Sequence, residues 1–260
     1  MSRIASDIKK YWKYSLVSAK AQLESEVAGS YLNWVWWALE PLCMMLVYAF
    51  IFGKVFGMKT ENYVIFIFLG LTLYDFFSRG IKSSVKIVKR NKQVVTKVYI
   101  PKFVLIMSDL FVSGFKMLIC MCVVFVMMFS TGIQFSWKIV FMIPILLDLY
   151  LFTFAVCTFL MHFGVFVEDL SNVINIVLKF LFYFTGIFYS IPERFPKEYA
   201  DIVLRFYPVA KLITDARNIC INRSFPDGIY LFILAAVSIV MSAVGIHIIY
   251  RNENAYVKLI

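Results

Sequence analysis

Long apolar runs separated by short polar segments dominate this chain. Runs of membrane length occupy about residues 32–56, 63–81, 103–129, 139–163, 173–189 and 229–250. Each is close to the roughly 20 residues a helix needs to cross hydrocarbon. The pattern predicts an all-α integral membrane protein with about six transmembrane helices. Residues 4–26 read differently. Ile4, Ile8, Trp12, Leu16, Ala19 and Leu23 recur at helical spacing, while Lys9, Lys10, Lys13 and Lys20 fill other faces. This predicts an N-terminal amphipathic helix, either lying in the membrane interface or packed on a partner. The chain therefore divides into an interfacial helix, 1–30, and a transmembrane domain, 31–260.

Composition agrees with the pattern. The chain is 62% hydrophobic and 16% charged, whereas a soluble domain is nearer half apolar and a quarter charged. Its formal charge of +10 is unevenly placed. Between residues 79 and 102 lie Arg79, Lys82, Lys86, Lys89, Arg90, Lys92, Lys97 and Lys102, with no acidic residue. A basic segment between two spans stays on the cytoplasmic side, because Lys and Arg there resist translocation. With six spans both termini then fall on that side too. These positives meet anionic lipid at membrane edges. No basic groove interleaved with aromatics is present for nucleic acid. Cys43, Cys120, Cys122, Cys157 and Cys220 lack redox or zinc-knuckle spacing, and no cleavable signal peptide is apparent.

The connection 192–227 is too polar to span and too apolar for a solvated loop. Arg194, Lys197, Arg205, Lys211, Arg217 and Arg223 are nearly balanced by five acids, and Phe195, Tyr199, Ile202, Phe206 and Leu212 run among them. Short external amphipathic helices are predicted, broken at Pro196 and Pro208. They are placed where irregular backbone is buried in protein or lines a cavity.

Ionisable residues within spans are the first functional candidates. Asp75 and Arg79, four apart, are expected to pair on one helix face. Asp148 falls mid-span, where Lys116 or Lys179 could meet it, as a structural pair or an ion relay. Asp109 and His162 are expected to reach headgroups. No metal site is expected from two isolated histidines. There is no phosphate-binding G-x-x-x-x-G-K-[ST] loop, zinc-protease helix or nucleophile elbow. Aromatics make up 18% of the chain. Phe180, Phe182, Tyr183, Phe184, Phe188 and Tyr189 crowd one end of the fifth run, where their faces could stack on sugar rings, lipid or one another.

Residues 30–42, with Ser30, Leu32, Trp36, Leu39, Pro41 and Leu42, resemble the S-x-L-G-x-x-W-x-x-L-x-P-L start of the first span in ABC-2 family permeases that export polysaccharides. Asn33 replaces the usual Gly. Residues 91–101, with Lys97 and Pro101, resemble the N-x-x-L-I-x-K-x-x-x-P stretch of that family. Glu168, Asp169 and Leu170 resemble its R-D-L, with Glu in place of Arg. Tyr207, Pro208 and Arg217 resemble its N-P…R, with Tyr in place of Asn. The resemblance runs in order along nearly the whole chain.

It implies a transport subunit with no enzyme activity and no cofactor of its own. Two copies would form a homodimeric channel in the bacterial cytoplasmic (inner) membrane. Two separately encoded ATPase subunits would carry ATP-Mg. The cargo would be a lipid-linked O-antigen, capsule or teichoic acid glycan. Residues 82–100 would be the coupling segment, with Lys86, Lys89, Arg90, Lys92 and Lys97 meeting the ATPase. Residues 190–228 would form external gate and re-entrant helices. The channel and gate would use Trp34, Trp37, Phe180, Tyr183, Phe184, Phe188, Tyr189 and Tyr207. Competing readings are a drug or lipid exporter of the same family, a membrane enzyme of lipid or glycan assembly, and a proton-coupled carrier using Asp148.

Overall fold

The computed structural model describes residues 2–29, 31–57 and 62–258. Ser30 of the first-span motif, the link residues 58–61, the last two residues and the side chain of Ile4 lie outside the described set.

The order of elements follows the hydropathy pattern. Helix α1 is Ser2–Val27. Helix α2, Trp36–Tyr48, continues through a π-helical segment, Ala49–Val55. Helix α3 is Tyr63–Arg90, α4 is Lys92–Lys97 and α5 is Lys102–Ser130. A short 3-10 turn leads into α6, Met142–Phe166, and α7 follows at Leu170–Phe184. The polar connection forms α8, Ile191–Arg194, α9, Lys197–Phe206, and α10, Pro208–Cys220. Helix α11 is Gly228–Arg251 and α12 is Glu253–Lys258. Breaks fall where proline cannot donate: Pro196 caps α9 and Pro208 opens α10.

Helix α3 is the axis of the bundle. Its apolar stretch is 83% buried, and α2, α5, α6, α7 and α10 all pack on it. A helix apolar on every face needs such a wrapping. Glycine lets its neighbours close in. A Cβ on Gly164 of α6 would lie 2.9 Å from the backbone carbon of Val85 on α3. On the far side of α6, Ser238, Ser242 and Gly245 of α11 form the small-residue contact typical of helices that associate in lipid.

Two sequence expectations change. The basic segment is not a loop. Helix α3 runs unbroken to Arg90, because Ile81, Ser84, Val85 and Val88 bury one side of it. The fifth apolar run yields a helix of only 15 residues, about 22 Å at 1.5 Å per residue. Among the described residues five other apolar helices, counting Trp36–Val55 and Trp137–Phe166 as one each, are long enough to cross a membrane. Gly186, at φ +71°, reverses the chain after α7. The segment nevertheless runs the length of α3. Glu168 before α7 meets Lys89 at the basic end of α3, and Phe188 after it meets Tyr63 at the opposite end.

Helix α1 lies along α5 on a face only partly that of the predicted stripe: Ile8 packs on the core as expected. Ser15 and Ala19 are buried against the bundle, while Trp12 and Leu16 stay half exposed. Both chain ends meet the basic end: Tyr250 donates to Asp7, and Lys102 pairs with Glu253 of α12.

Candidate functional site

The basic end is only partly free to meet a partner. Lys86, Arg90, Lys92 and Lys97 are exposed on α3 and α4, and Lys89 is half buried. Lys89 Nζ lies 2.9 Å from Glu168 Oε1 in the α6–α7 link. Arg90 pairs with Asp109 of α5, which also accepts from Gln22 of α1. Asp109 is therefore buried beneath Arg90 and does not reach out to headgroups. His162 also turns inward, its Nδ1 2.7 Å from the Tyr256 hydroxyl. A cavity of about 430 Å³ separates α1 from the ends of α3 and α5, lined by Ser18, Gln22, Ser25, Arg90, Ser108 and Asp109.

The Lys89 hydrogen bond holds the Glu168 carboxyl below its usual range. An acid lowered in the folded state stabilises fully above its ordinary pKa and loses that contribution as pH falls through the lowered value. Native protein and Glu168→Gln should therefore differ slightly in thermal midpoint at neutral pH. The two should converge as pH falls below the ordinary carboxylate range.

A second surface runs along α2 and α7. The apolar stretch of α2 with its π-helical extension is only 6% buried within this chain. On α7 only Leu178 is buried. Phe180, Tyr183 and Phe184 are exposed, at 64%, 60% and 54%, beside exposed Asn172, Asn175 and Lys179. Trp34 is exposed, and half-buried Trp37 packs edge-on against Phe115 at 6.0 Å. The other residues read as channel aromatics turn inward. Phe188 is 2% exposed and stacks on Phe52 at 4.2 Å. The Tyr207 hydroxyl accepts from Thr185 at 2.9 Å, and the Tyr189 hydroxyl donates to the Tyr183 carbonyl.

The charges on this side were only half foreseen. Asp75 and Arg79 pair as expected, at 3.4 Å. Glu40 of α2 joins Arg79 at 3.8 Å. Glu40 and Arg79 are exposed and Asp75 is half buried, within helices long and apolar enough to cross a membrane. Glu40 escaped notice because it sits inside an otherwise apolar motif; a lone acid in a span was the available signal. Asp148 meets neither predicted lysine. Lys116 pairs with Glu26 at the end of α1 and caps the Trp37 ring, and Lys179 is exposed on α7. Asp148 is buried, and one of its carboxylate oxygens lacks a hydrogen-bond partner among the described residues. No cluster of three potential metal ligands occurs among the described residues.

No protein-family model matches the chain. Among curated proteins it is similar to the O-antigen export system permease protein RfbA of Klebsiella pneumoniae, 25% identical over 249 residues covering 94% of both chains. It is also similar to the protein of the same name in Myxococcus xanthus, 25% identical over 241 residues covering 93% of both. These relatives bear out the resemblance read from the ordered motifs along the chain.

Proposed function

We propose that this chain, related from end to end to O-antigen export permeases, is the membrane-spanning subunit of an ATP-driven polysaccharide exporter. Its cargo is a lipid-linked cell-surface glycan crossing the bacterial cytoplasmic membrane. The single observation that carries the reading is the charged group Glu40, Asp75 and Arg79, with Glu40 and Arg79 exposed and Asp75 half buried within spanning helices. Hydrocarbon does not solvate such charges without a penalty of at least about 2.5 kcal/mol each. That face therefore turns to a water-filled path or to another protein. A second copy related by a two-fold axis provides both, because closed symmetry places the bare faces of α2 and α7 opposite their twins. The exposed rings of Phe180, Tyr183 and Phe184 then offer flat, weakly binding faces along the path. Many weak contacts let a repeating polymer advance without being trapped.

The basic end, shared by both chain ends, is cytoplasmic. Two separately encoded ATPase subunits dock there on α4 and the last turn of α3, supplying ATP-Mg. Helix α1 lies at the interface, with Trp12 and Leu16 toward lipid headgroups. Helices α8 to α10 form the external gate. Lys86 and Lys97 are the better docking probes. Lys89 and Arg90 also hold the bundle together through Glu168 and Asp109.

Copurification from native membranes tests the reading. A P-loop ATPase is expected in equal amount with the native chain, and Lys86→Glu with Lys97→Glu is expected to lower its recovery at least about tenfold by juxtaposing like charges. A well-folded native chain without any ATPase would overturn the assignment.

A further inference from the structure

Arg217 is a buried cation without a carboxylate partner among the described residues. It lies on α10 at 5% exposure, among Leu212, Ile213 and Ala216. Such a charge is tolerated only where hydrogen bonds replace its water. Its Nε donates to the carbonyl of Phe66 on α3 at 3.1 Å, Nη1 to that of Gly186 at 2.8 Å, and Nη2 to that of Ile187 at 3.0 Å. The guanidinium carbon stands 3.5 Å over the Phe66 ring. Burial draws its pKa down to about 9, so it remains charged at neutral pH. The Tyr63 hydroxyl donates to the next carbonyl, that of Phe188, at 2.8 Å. Three consecutive carbonyls after α7 are thus held by side chains from α10 and α3. Gly70 makes the room: a Cβ there would fall 3.3 Å from the guanidinium carbon and closer still to Nη2.

The held turn carries Phe188. Its ring lies 4.2 Å from Phe52 and 4.9 Å from Tyr48, on the far half of the α2 segment, and 5.4 Å from Phe182 on α7. The guanidinium therefore acts on α2 through a backbone turn and one ring.

We propose that Arg217 is the positioning residue of the outer mouth: with Tyr63 it staples the 186–188 turn, seats Phe188, and makes the outer ends of α2, α3, α7 and α10 move as one body. Lysine cannot replace it, because one ammonium does not present three N–H groups in a planar fork to carbonyls on two elements. The staple is read from contacts alone. Its consequence for export rests on the proposed function.

The test uses the purified complex of this chain with its ATPase. The chain keeps native Cys157, fully buried on α6, and carries Ile187→Cys, with Cys43, Cys120, Cys122 and Cys220 replaced. Maleimide labelling of the two thiols is followed by mass spectrometry, in this background and after adding Gly70→Ala or Arg217→Lys. Position 187 is expected to label at least about tenfold faster in both variants while Cys157 stays protected, the signature of a local opening. Protection of both thiols in both variants would overturn the proposal. Exposure of both thiols would do so too, by showing a role in global folding. Faster labelling with undiminished export would leave the staple standing and remove its link to transport. Lost labelling contrast with normal ATPase pairing would sink the staple and spare the transport reading.

Discussion

Replacing Gly164 with alanine is expected to abolish recovery of the folded chain. The added methyl would overlap the Val85 carbonyl oxygen and lie 2.9 Å from two further backbone atoms of α3. No rotamer relieves a clash with backbone, so α3 and α6 must move apart. Helices in lipid have little hydrophobic force to pull them together and depend on this close approach. A gap of even 0.5–1 Å forfeits about a quarter to a half of each contact along the interface. The expected cost is at least about 3 kcal/mol, the upper end of ordinary overpacking. Gly80→Ala should cost less, because its nearest atoms, at 2.7 and 3.0 Å, are the side-chain ends of Leu110 and Thr153. Gly114→Ala provides the control. Its Cβ would meet only Phe76, at an ordinary 3.8 Å, so up to about 1 kcal/mol of helix propensity should be gained. The monodisperse fraction in detergent and the unfolding midpoint rank the three. Equal behaviour of Gly164→Ala and Gly114→Ala would show that α3 and α6 do not approach as described.

The spans were legible because hydrocarbon imposes a length and a composition on a helix. The faces of α6 and α11 were not, because a helix apolar all round carries no stripe. Phe180 and Phe188 are the same residue type on one apolar run, yet one is exposed and the other sealed. The difference is Gly186, whose left-handed turn folds Phe188 back onto α2. The length of α3 was within reach. Ile81, Ser84, Val85 and Val88 repeat at helical spacing through the basic segment, beneath its charge. Partner choice was out of reach. Whether Lys116 meets Asp148 or Glu26 depends on α1 lying along α5, a fact no local pattern encodes. Arg217 was visible as a motif residue, while its three carbonyl partners lie 30 to 151 positions away.

Lys102→Met is expected to destabilise the chain by about 3–5 kcal/mol, the range for a buried ion pair that loses one partner. Lys102 is 2% exposed and Glu253 13%, with Nζ and Oε1 3.2 Å apart. Tyr99, after α4, donates to the second carboxylate oxygen at 3.0 Å. Removing the ammonium leaves the largely buried Glu253 carboxylate without its cationic partner. A compensating gain is available, since a cation at the first residue of α5 opposes the helix dipole. That gain is only about 0.3–1 kcal/mol and cannot reverse the sign. Glu253→Gln alone should also destabilise, by leaving the ammonium unpaired. The double variant, Lys102→Met with Glu253→Gln, should recover much of the loss, because neither charge is then buried alone. Equilibrium unfolding in mixed micelles closes the cycle. Additive losses would mean that water, rather than the partner, solvates each charge. Strong coupling would mean that α12 holds the start of α5 and, through Tyr99, the end of α4. A force applied at the basic end would then reach the bundle through the tail as well as through α3.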